Sequence, residues 1–99
     1  MAEKIVLTKS NEATSALFGS FDINIRLIER AFDVRVSNRN SAETSSGDAI
    51  LVTGESGQVK RAVRTLEYLK RMIGDGEVVS EQTVEYVISL VNDGLADEA

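Results

Sequence analysis

Around Asp33 the spacing of apolar residues changes abruptly. Before it, Phe21, Ile25, Ile28 and Phe32 recur at intervals of four, three and four, with Leu27 and Ala31 widening the stripe. That is the repeat of an α-helix with one buried side, and it leaves Arg26, Glu29 and Arg30 facing away. After it, Val34-Arg35-Val36-Ser37 alternates apolar and polar, the repeat of a half-buried strand. So short a join leaves little freedom, and the helix starting near Asp22 is expected to pack on the sheet that contains this strand.

The same reading extends along the chain. Residues 4–8 form a short β-branched run, followed by Ser10-Asn11 as a turn or cap. Residues 12–18 have room for two helical turns and stop at Gly19, a helix C-terminal signal. Residues 38–48 are small and polar and predict a loop, since burial cannot repay their ordering entropy. Residues 49–53 resume a β-rich pattern that Gly54 ends. Ser56 is a plausible N-cap for the strongest helix, with Val59, Ala62, Val63, Leu66, Leu69 and Ile73 on one face. Its other face carries Lys60, Arg61, Arg64, Lys70 and Arg71, with Glu67 and Arg71 spaced to pair, and Gly74-Asp75-Gly76 breaks it. Ser80 then caps a last helix striped by Val84, Val87, Ile88 and Val91, with Glu81 and Glu85 near its positive end. Residues 93–99 read as a polar tail.

The order is strand, helix, helix, strand, strand, helix, then one appended helix, with no internal repeat. The fold class expected is α+β: a three-stranded antiparallel sheet with helices on one face. The other face is either exposed or covered by the appended helix, whose stripe needs a partner surface.

Ninety-nine residues supply one hydrophobic core. The chain has neither cysteine nor histidine, which removes disulfides, thiolate zinc sites and the commonest general base. No residue set suggests catalysis, so the fragment is expected to work by binding. Gly54-Glu55-Ser56-Gly57-Gln58-Val59-Lys60 has glycines without the P-loop spacing and reads as a strand-to-helix turn. No run approaches the ~18 apolar residues of a membrane span, and a cytoplasmic location is expected. The net charge of −5 is uneven: residues 1–76 hold all eleven bases against ten acids, whereas residues 77–99 hold six acids and no base. With three Phe and two Tyr, few base-stacking platforms are available.

The element order resembles the minimal KH module, in which a loop between the first two helices clamps nucleic-acid backbone. Leu17-Phe18-Gly19-Ser20-Phe21-Asp22-Ile23-Asn24-Ile25-Arg26-Leu27-Ile28-Glu29 is more specifically similar to the N-terminal domain of PhoH-like proteins, a bacterial family of P-loop ATPases. Val79-Ser80-Glu81-Gln82-Thr83-Val84-Glu85-Tyr86-Val87-Ile88-Ser89-Leu90 resembles the helix that family places before its ATPase. The resemblance implies a KH-like domain over residues 1–76 and an appended helix and acidic tail over residues 77–99. It also implies a downstream ATPase, absent here, that would use ATP and Mg. The fragment itself is expected to carry no cofactor or metal.

The implied function is an accessory RNA-binding domain in RNA metabolism. The implied partners are single-stranded or structured RNA bound weakly, the ATPase domain itself, a partner ribonuclease, and further copies through the full-length protein. The implied contacts are Gly19, Ser20 and Phe21 in the loop, Asn24 and Arg26 on the helix, and Arg35 and Arg39 beside it, with Lys9 near. KH loops read Gly-x-x-Gly, so that phosphates reach the backbone at a helix N-terminus. Here Asp22 stands in place of the second glycine, where its carboxylate would repel phosphate or cap the helix. The other reading is an oligomerisation or protein-docking module of the same ATPase without direct RNA contact.

Overall fold

The computed structural model describes residues 1–7, 23–39 and 49–94, with Asn38 and Arg39 described by their backbone alone. Three strands and three helices lie within these residues: β1 (Ala2–Leu7), α1 (Ile23–Phe32), β2 (Arg35–Arg39), β3 (Ala49–Gly54), α2 (Ser56–Gly74) and α3 (Glu81–Asn92). The fold is α+β. The sheet is antiparallel throughout with the order β1-β3-β2, so the strand latest in sequence is the central one. The short helix expected over residues 12–18 lies outside the described residues.

Strand alternation decides which residues enter the core. Val6 of β1, Ile50 and Val52 of β3 and Val36 of β2 are buried on one face. Against them pack Ile25, Ile28 and Phe32 of α1 and Val59, Ala62, Leu66 and Leu69 of α2. Val63 and Ile73 are only half-buried, and Ala31, expected to widen the α1 stripe, is exposed. β1 begins two residues earlier than its β-branched run because Ala2 and Glu3 find partners in Gly54 and Thr53. Asn38 and Arg39, expected in the loop, extend β2 for the same reason, opposite Ile50 and Ala49.

The appended helix does not cover the open sheet face. α3 lies against α1 and α2, and its Val84, Val87 and Val91 belong to the same core as the sheet residues. The face away from the helices therefore keeps Ile5 and Leu7 at 61% and 62% exposure, beside half-buried Leu51.

Helix ends follow local chemistry. Ser80 caps α3 as expected, its hydroxyl accepting the Thr83 amide at 3.4 Å. Ser56 is not a cap. Glu55 holds that position in extended backbone without a side-chain bond, its C=O accepting the Val59 amide at 2.8 Å, and Ser56 is the first helical residue. α2 ends with the Glu77 amide on the Met72 C=O and Gly76 at φ +88°, a Schellman corner in the usual glycine form. α1 ends the same way without glycine: the Val34 amide reaches the Glu29 C=O at 3.2 Å, and Asp33 takes the left-handed position at φ +53°.

Candidate nucleic-acid interface

The corner at Asp33 positions the site. Gly54, at φ +155°, packs so close that an added Cβ would meet Val34 Cγ1 at 3.1 Å. Beyond the corner the Glu29 carboxylate accepts the backbone amide of Val36 at 2.9 Å. Glu29 was expected to face solvent; it is half-buried instead, because the edge strand β2 offers an amide that β3 does not use. β2 is thereby held beside α1, and Arg26, one turn before Glu29, shares that side of the helix.

The expected contact residues do not all gather here. Gly19, Ser20 and Phe21, with Lys9 and Asp22, lie outside the described residues. Arg26 is exposed on α1. Arg35 is exposed too, but it alternates with buried Val34 and Val36 and so lies on the sheet face away from the helices. The two arginines flank β2 from opposite sides and do not line one wall. Arg39 ends β2 opposite Ala49, its side chain outside the described residues.

Asn24 departs furthest from expectation. It is 1% exposed, in the first described turn of α1, and neither its amide nitrogen nor its oxygen has a hydrogen-bond partner among the described residues. A buried amide in that state costs about 1–3 kcal/mol. Asn24 cannot touch RNA from the surface; contact would require local opening. The other buried polar residue among the described ones, Thr65, is satisfied: its hydroxyl donates to the Arg61 C=O at 3.0 Å.

On the outer face of α2, Lys60, Arg61, Arg64 and Arg71 are exposed, and Arg61 donates to Gln58 at 3.3 Å. Glu67 does not pair with Arg71 as its spacing suggests. It pairs with Lys70 at 3.1 Å, and the same ammonium donates to the Leu7 C=O at 2.8 Å. Lys70 is drawn toward β1, where two oxygens satisfy it at once. The roles of Glu29 and Lys70 escape sequence reading because their partners are backbone groups of edge strands, which no side-chain pattern marks.

Among the described residues no helix is long and apolar enough to cross a membrane, and no group of three or more Asp, Glu, His or Cys could hold a metal ion. Comparison with protein-family models, with curated proteins and with solved structures finds no match for this chain.

Proposed function

We propose that this chain is a KH-like RNA-contact module that accompanies a PhoH-like ATPase in a longer protein and has no catalytic role of its own. The observation that carries the reading is the seating of α1 beside β2, an edge strand of the sheet among the described residues. Arg26 lies on the side of α1 that meets this edge, one turn from the Glu29–Val36 bond. With its amide on Glu29, Val36 still turns its C=O outward to a strand laid beside the edge, and Arg26 offers phosphate a cation at the same level. Arg35 reaches the edge from the opposite side, where it adds charge without sharing a wall. Affinity is low and governed by salt, because few cations and few aromatic residues take part.

The test is titration of the 99-residue chain with oligouridylate at low salt, followed by amide chemical shifts. Shifts at α1 and β2 that vanish as salt is raised support the reading. Saturating RNA without change in either element removes it.

The second reading, a docking or oligomerisation module, is favoured by one feature: α3 packs on the helices and leaves Ile5 and Leu7 uncovered on the open sheet face.

A further inference from the structure

Among the described residues the sheet ends at β1 on one side and at β2 on the other. Since Val36 donates its amide to Glu29, the backbone groups of Val36 point away from β3, and Arg35 and Ser37 carry the ladder to Thr53 and Leu51. Alternation carries this assignment across β3: Ala2, Lys4 and Val6 bond to Gly54, Val52 and Ile50, while Glu3, Ile5 and Leu7 turn their N–H and C=O outward. The Lys70 bond agrees, because the Leu7 C=O that it caps is one of these outward groups. Each edge strand thus has one outward group held by a charged side chain from the helix layer, Glu29 on β2 and Lys70 on β1.

We propose that the outer edge of β1 is a pairing site for a second copy of this chain, antiparallel and centred on Ile5, and that Lys70 holds it shut. The choice of partner follows from register. A two-fold pairing of β1 with itself sets outward residues against outward residues, so its centre falls on a single residue. Centred on Glu3, two carboxylates face each other; centred on Lys4, two ammonium groups do so at the closer, non-bonded spacing. Centred on Val6, residues 5–7 alone overlap.

Centred on Ile5, all of residues 3–7 pair, with Ile5 against its own copy, Leu7 against Glu3, and no like charges opposite. The exposed side chains of Ile5 and Leu7 then extend one apolar stripe across the joined sheets. This register requires the Leu7 C=O to accept the Glu3 amide of the second copy, and the Lys70 ammonium, already 2.8 Å from that oxygen, competes with the incoming amide for it. Of these four registers, Glu3 and Lys4 each repel in one, the one centred on Val6 has too little overlap, and Lys70 competes in the fourth. An edge protected in this way is a known need of open sheets. The inference is independent of the RNA reading, since neither Arg26 nor Arg35 takes part.

The test is the oligomeric state of the 99-residue chain, by light scattering and sedimentation equilibrium from ~10 µM to ~1 mM, a span that brackets weak association. The wild type is expected to stay monomeric. Lys70→Met, which keeps the aliphatic stem and removes the donor, is expected to double in mass within that range, with new exchange protection at the Glu3, Ile5 and Leu7 amides. Adding Ile5→Lys is expected to restore the monomer. Lys70→Ala provides the same readout should the Met variant not fold. A folded Lys70 variant that remains monomeric overturns the proposal, as does a wild type already paired through Ile5. Self-association that survives Ile5→Lys assigns pairing to another surface and overturns it too.

Discussion

Glu29 accepts two amides of the segment that follows its own helix: Val34 on its backbone C=O at 3.2 Å and Val36 on its carboxylate at 2.9 Å. One residue therefore ends α1 and fastens the strand that doubles back beside it. The second bond is charge-assisted and partly buried, and such bonds contribute about 1.5–3 kcal/mol.

Glu29→Ala is expected to destabilise the chain by about 1–2 kcal/mol, within the range for a lost charge-assisted bond, with Glu29→Gln recovering part of it. Urea unfolding measures the loss. Faster exchange of the Val36 amide assigns it to the strand edge. Unchanged stability and exchange in Glu29→Ala would show that water replaces the carboxylate at no cost.

Asp33 occupies a left-handed position that glycine fills in the equivalent corner after α2. Asp33→Gly is expected to stabilise by about 0.5–1 kcal/mol, since relief of the positive φ outweighs the added freedom of the unfolded chain. Thermal melts decide the sign, and a lower melting temperature refutes it.

Gly54→Ala is expected to act in the opposite sense. Its φ of +155° and a Cβ at 3.1 Å from Val34 Cγ1 add strain to a tight contact at the same corner. A loss of about 1–3 kcal/mol is expected, the range for overpacking. Combining Gly54→Ala with Val34→Ala tests the cause: the pair should lose less than the sum of the single changes.

Asn24 holds in the core an amide with no hydrogen-bond partner among the described residues. Asn24→Leu, close in volume, is expected to raise stability by about 1 kcal/mol by removing the buried amide's desolvation penalty. If local opening exposes this amide to RNA, the same variant lowers affinity while raising the melting temperature. A variant that melts lower places a structural partner on Asn24.

Charge reversal separates the two arginines. Arg26→Glu is expected to weaken oligouridylate binding and flatten its salt dependence, since one phosphate contact is lost. Arg35→Glu, on the opposite sheet face, is expected to have the smaller effect. Equal effects would place RNA across the open sheet face.

The long elements were legible because their signals are local. The valine and leucine stripe of α2, the Val34 and Val36 alternation, and Ser80 before α3 all depend on residues within a few positions of one another. The α1 stripe misled at two positions. Ala31 is exposed and Asn24 buried although, seven residues apart, they share one side of the helix, so burial changes along the helix axis as well as around it, and a stripe read from spacing carries no axial term. The RNA contacts implied by the resemblance share one groove, and strand alternation divides them: Arg26 stays with the helices while Arg35 crosses to the other side of the sheet.

By itself the sequence determined the kinds and order of the described elements, the main core residues on each, and the absence of thiol and imidazole chemistry, since each is a matter of residue type or short-range spacing. Only tertiary structure decided that β3 lies between β1 and β2, that α3 rests on helices rather than on the open sheet, and that Glu29 and Lys70 meet the strands on either side of β3. Those outcomes depend on backbone groups brought together across as many as 63 positions of the chain, from Leu7 to Lys70, and a backbone amide or carbonyl carries no mark in the sequence of which side chain will reach it.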